Sequence, residues 1–107
     1  MFRTLLNANL AAMSGEQYEV AYHALAAALH VASDAGDSAQ LAEVAEIAVT
    51  QLGCINRNAP GHRLATGSAA SRGNKSPFAS LAVQSRSTRG RIRVEAAMAA
   101  SRRIPVA

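Results

Sequence analysis

The chain has 107 residues, a formal charge of +4, a single cysteine and no tryptophan. That length sets a ceiling of one domain, and the lone Cys54 excludes an internal disulfide and makes a reduced, cytoplasmic setting the expectation. No apolar run approaches the roughly 18 residues of a membrane span, so no membrane partner is expected.

Half of the residues are hydrophobic, but alanine supplies much of that half and there are only two Phe and two Tyr. Alanine buries little area, and burial is worth roughly 25 cal/mol per Å² of apolar surface, so the core must be thin. Enrichment in Ala with scarce aromatics favours helix over sheet, and the expected class is all-α. The charge is divided along the chain. Up to Asn56 there is one base, Arg3, against Glu16, Glu19, Asp34, Asp37, Glu43 and Glu46; from Arg57 onward nine arginines and Lys75 face only Glu95. Such a division is expected to separate an acidic folded part from a basic interaction tail.

Residues 1–13 read as an N-terminal extension. Asn7 and Asn9 interrupt their apolar stretch and make a poor secretory signal, and Met13 is a second potential initiator directly before the first strong helix signal. Ser14-Gly15-Glu16-Gln17 matches the capping-box pattern and predicts a helix over about 15–33. Within it Tyr18, Tyr22, Leu25 and Leu29 fall within about 40° of one line at about 100° per residue. Ser33 to Asp37 breaks that helix, with Gly36 suited to the left-handed conformation and Asp37 or Ser38 to capping the next helix. A second helix is predicted over about 38–52, with Leu41, Val44, Ala45, Ala48 and Leu52 as its apolar stripe and Gly53 as its stop. The short connection makes residues 14–56 an antiparallel helical hairpin.

From 57 to 76 the composition is Asn, Gly, Ser, Pro and Arg, and a linker or disordered segment is expected. Residues 77–107 read as a basic, partly disordered tail. Ser76-Pro77 can open a short helix over about 77–87, with Phe78 and Leu81 as its apolar side, and a second piece is placed at about 91–102. One continuous helix is disfavoured because Arg89, Arg93 and Arg103 would share the line of Phe78, Leu81 and Ile92, and Gly90 interrupts it.

Candidate chemistry is sparse. Glu19, His23, His30 and Asp34 share one polar strip of the first predicted helix, but His23 and His30 stand roughly 10 Å apart along the axis and cannot hold one ion together. His62 lies in a turn-like stretch without a nucleophile or carboxylate at an informative spacing, and the glycines form no phosphate-binding loop. The expectation is a non-enzyme with no metal and no cofactor. A hairpin of roughly 40 residues cannot bury a stable core alone. Tyr18, Tyr22, Leu25, Leu29, Leu41 and Leu52 are therefore the candidate helix-packing or partner-binding residues. Pairing of two hairpins is preferred over docking of a third helix through Phe78 and Leu81. The expected function is a small helical protein-interaction module. The alternative is nonspecific nucleic-acid binding through Arg86, Arg89, Arg91, Arg93, Arg102 and Arg103; some arginines of the basic half are also expected to fold back on Glu43, Glu46 and the acids of the first helix.

Overall fold

The computed structural model describes residues 1–102, and all regular structure among them is helical. The elements are α1 (Phe2–Ser14), α2 (Tyr18–Ala35), α3 (Ser38–Asn58), α4 (Thr66–Ser71) and α5 (Pro77–Arg102). Phe2 and Leu6 of α1, Leu25 and Leu29 of α2, Leu41, Val44 and Ile55 of α3, Leu64, and Phe78 and Leu81 of α5 meet in one core.

Residues 1–13 are not an extension. They form α1, which buries Phe2, Leu6, Asn9 and Ala12 against the rest of the bundle. Asn9, which breaks the apolar run in the sequence, faces inward: its Nδ2 donates to the carbonyl of Ala21 at 2.8 Å and to Oε1 of Gln51 at 2.9 Å, and Gln51 Nε2 donates back to Asn9 Oδ1. One polar side chain thereby ties α1 to both α2 and α3. The capping box does not form either. Ser14 is the last residue of α1, and Gly15 to Gln17 make the turn into α2, with Glu16 in the left-handed region at φ 58° and the Gln17 N–H donating to Ala12 O at 2.8 Å. The tetrapeptide closes one helix instead of opening the next.

The α2–α3 connection follows the local signals. Gly36 takes φ 64°, the N–H groups of Gly36 and Asp37 return to Ser33 O and Ala32 O, and the Asp37 carboxylate accepts from the Gln40 N–H at 3.0 Å. Gly53, expected as the stop of α3, is instead an interior residue, and the helix continues to Asn58. A glycine in a helix interior costs about 1 kcal/mol relative to alanine. Burying Ile55 one half-turn later contributes roughly 1.5–3 kcal/mol, so tertiary burial wins over the local break.

Residues 57–76 are not a bare linker. Leu64, Ala65, Ala69 and Ser76 are buried, and α4 forms within the segment. Its polar groups are spoken for: Asn56 bonds both the backbone N–H and the hydroxyl of Thr66, Arg72 donates to Arg63 O at 2.8 Å, and Ser76 Oγ donates to Leu64 O at 2.5 Å while accepting from the Phe78 N–H. Ser76 thus caps α5 and fastens it to the loop beneath.

Over its described residues the basic tail is one helix of 26 residues, Pro77–Arg102, that passes through Gly90. Tyr22, near the start of α2, meets Phe78, near the start of α5, with ring centroids 5.6 Å apart in an edge-to-face arrangement. The start of α2 and the end of α3 lie at the same end of the molecule, so α5, which packs along α3, runs back antiparallel to it. From Phe78 to Ile92 α5 advances about 21 Å, roughly the span from Ile55 back to Leu41. The next ten residues find no bundle to pack on. From Arg93 to Arg102 every residue but the half-buried Ala99 is exposed, and the molecule is correspondingly long, 62 × 31 × 16 Å. Arginines on the core-facing line are tolerated there because no core lies opposite them. The helix persists because Glu95, Ala96, Ala97, Met98, Ala99 and Ala100 are strong helix formers.

Three outcomes follow for urea denaturation of the full chain. Phe78→Ala costs about 3–5 kcal/mol, whereas Met98→Ala changes stability by no more than about 0.5 kcal/mol. Gly90→Ala, where an added Cβ meets nothing within 4 Å, stabilises by about 0.5–1 kcal/mol. In a double-mutant cycle, Asn9→Ala and Gln51→Ala each cost about 1–3 kcal/mol but together cost less than their sum, because each single change strands the other amide.

Candidate polyanion interface

The apolar residues expected as packing or partner-binding positions lie inside the chain. Tyr18, Leu25, Leu29 and Leu41 are buried, and Tyr22 and Leu52 are half-buried against the same core. α1 and α5 occupy the surface that a second hairpin was expected to cover. The third-helix docking through Phe78 and Leu81 is present, with Phe78 fully buried.

The acidic strip of α2 is drawn into surface pairing. Both Glu19 carboxylate oxygens accept from Arg63, through Nε and through Nη2, the latter at 2.6 Å. These hydrogen bonds hold the Glu19 carboxyl below its ordinary range, with smaller contributions in the same direction from the charge of Arg63, His62 and His23, against the opposing effect of partial burial. His62 stacks edge-on against Tyr18 at 5.2 Å and accepts the Leu64 N–H on Nδ1 at 3.1 Å, a structural use of the ring. Burial pushes the Tyr18 hydroxyl above its ordinary value, helped by Glu16 and Cys54. Cys54 is half-buried, with its sulfur accepting from Asn58 Nδ2 at 3.2 Å. His23 and His30 are exposed. Among the described residues, no group of three or more His, Cys, Asp and Glu side chains is placed to hold a metal ion.

Of the basic half, only Arg63 makes an ion pair with an acid of the first 56 residues among the described residues. The carboxylate of Glu43 is taken by Arg3, at 2.6 and 2.7 Å, and that of Glu19 by Arg63. Arg86, Arg89, Arg91, Arg93 and Arg102, all on α5, make no ion pair among the described residues; Arg103 lies outside the described residues. At about 100° per residue Arg86 and Arg93 form one flank of the exposed face of α5, and Arg91 and Arg102 form the other. Arg89 is half-buried, with its Nε shielded and without a hydrogen-bond partner, and its stem covers the bundle edge. Beside the second flank an open concavity of about 470 Å³ is lined by Lys75, Ser80, Gln84, Ser87, Thr88 and Arg91 among others. Two cations and several hydroxyl and amide donors around one recess suit an anion with many acceptor oxygens.

This grouping was half legible beforehand. The arginines stand out in the sequence, but their division into two flanks requires one continuous helix. The polar contribution of Ser87, Thr88 and Lys75 was missed for the same reason, although a repeat of Ser and Gln at helical spacing over 80–87 is a signal that could have found it.

The Glu19–Arg63 pair has a pH consequence. A depressed carboxyl contributes stability above its unfolded pKa of about 4.3 and loses that contribution as pH falls through the lower folded value. NMR titration should find Glu19 half-protonated below the ordinary glutamate range, and Arg63→Ala should return it towards that range. No family model matches the chain, and no curated protein and no solved structure shows significant similarity to it.

Proposed function

We propose that this chain is a non-catalytic helical protein that binds a nucleic acid by its phosphate backbone, using the arginines of α5. The observation that carries this reading is the concentration of Arg86, Arg89, Arg91, Arg93 and Arg102 on one helix with Glu95 as its only acid, none of the five engaged in an ion pair among the described residues. Arginine donates in a fixed planar fork that matches phosphate oxygens, and an unpaired guanidinium gains more from a phosphate than one that must first leave a carboxylate. The acids lie almost wholly on α2 and α3 and their connections, so a polyanion is attracted to one side of the molecule and repelled from the other.

A protein partner is the second reading, favoured by the exposed Val94 and Met98 on the projecting end of α5. Tyr18, Leu25 and Leu29 are already enclosed, so a partner would use that end and not the α2 stripe. In either case the setting is taken as cytoplasmic. No helix among the described residues is long and apolar enough to cross a membrane.

Truncation after Asn56 cannot serve as the test, because it removes Phe78 and Leu81 from the core. Charge reversal at exposed positions can. Binding of the full chain to a DNA duplex, followed by anisotropy against salt concentration, should give a slope of log Kd on log salt of about 3–4 if four or so phosphates are contacted. Arg86→Glu with Arg93→Glu should lower affinity more than tenfold and reduce that slope by about 2, with helix content unchanged by circular dichroism. A salt-independent interaction, or none, removes the reading.

A further inference from the structure

We propose that the exposed face of α5 from Arg86 onward seats in the major groove of B-form DNA, an inference that rests on the nucleic-acid reading above and names its duplex form. Three observations point this way.

The first concerns the aromatics. Sequence-tolerant binding of single strands relies on side chains that stack on bases, typically about 1–3 kcal/mol for each base. Phe2, Tyr18 and Phe78 are buried and Tyr22 is half-buried among the core residues, and these are all the aromatic side chains the chain possesses, His apart. The arginine surface therefore offers phosphate contacts and no stacking platform, which suits a ligand whose bases are already stacked.

The second is the angular layout of α5. Phe78, Leu81, Ala82, Ser85 and Thr88 mark its buried face. At about 100° per residue Gly90, Val94, Ala97 and Ser101 lie about 125–175° from the centre of that face, on the side turned away from the bundle. Arg86 and Arg93 flank this outward line on one side and Arg91 and Arg102 on the other, while Arg89 lies nearer the bundle. Small residues in the middle let a helix approach base edges closely, and arginines on both margins reach the two phosphate walls. Val94 and Met98, 58% and 52% exposed, supply apolar contact of the kind a thymine methyl accepts.

The third is clearance. Beyond Ile92 the helix has left the bundle, and a helix of about 10–12 Å diameter fits a B-form major groove of about 12 Å. The major groove of A-form RNA is deep and narrow and does not admit it. Asp34 and Asp37, at the α2–α3 turn, belong to the bundle and not to α5. Glu95 falls about 100° from the outward line, at its margin.

The test compares three ligands of one mixed sequence with the full chain: a short DNA duplex, its single strand and the corresponding RNA duplex. It adds two charge-matched variants at exposed alanines, Ala97→Glu on the outward line and Ala96→Glu on the side facing the bundle. The expected result is a DNA duplex bound about tenfold tighter than either other ligand, with Ala97→Glu lowering that affinity about tenfold and Ala96→Glu doing so by less than about threefold. Ser101→Glu, on the same outward line, should repeat the effect of Ala97→Glu. Equal affinity for all three ligands, or equal effects of Ala96→Glu and Ala97→Glu, overturns groove seating and leaves phosphate-backbone binding standing. Binding to none of the three overturns both.

Discussion

Phe78 closes the molecule. α2 and α3 carry long lines of alanine, so the pair can approach closely but cannot enclose its own leucines. Those leucines need large side chains on the open side, and α5 supplies the first of them in Phe78, 20 residues beyond the end of α3, edge-on to Tyr22 and with no exposed area. The intervening segment acquires order from the same event. Leu64 enters the core beside Phe78, and Ser76 bonds the Leu64 carbonyl while capping α5, so the loop and the helix start are held as one piece. With Leu81, Ala82 and Leu64, that ring holds the basic half on the acidic half.

On the opposite side, α1 performs the corresponding cover with a polar device. A buried amide pair costs desolvation, and it is tolerated because Asn9 and Gln51 satisfy each other and Asn9 also reaches the Ala21 carbonyl. Among many alanines, which slide past one another with little penalty, these directional bonds select one register of α1 against α2 and α3. The exposed Arg3–Glu43 and Arg63–Glu19 pairs add alignment at the surface, where solvent screening leaves them little energy.

The exposed arginine surface of α5 is a by-product of unequal helix lengths. α5 outlasts the bundle by ten residues, and that surplus is where charge can be carried on every face without conflict with a core. Glu43 and Glu19 are occupied by Arg3 and Arg63, and Glu95 is the one acid that α5 itself carries. The separation of charge along the sequence thereby becomes a separation in space, with a projecting cationic helix on an acidic bundle. Such an arrangement favours a long polyanion over a compact one, because the cations are spread along an axis.

The sequence by itself determined the all-α class, the bodies of α2 and α3, the left-handed Gly36 with its Asp37 cap, and the gathering of arginines in one half. All of these rest on interactions within a few residues, namely helical periodicity, capping and turn chemistry. Tertiary structure decided the rest. Asn9 looked like an interruption because its partner Gln51 is 42 residues away. Gly53 looked like a stop because the worth of burying Ile55 depends on a core that distant residues build. Arg93 argued against a continuous α5 only on the assumption that the whole helix faces a core, whereas it falls just past the packed stretch, and Arg89 is accommodated half-buried at the bundle edge. In each case a local preference of about 1 kcal/mol was outweighed by burial or pairing with residues remote in the chain, or was relieved by their absence.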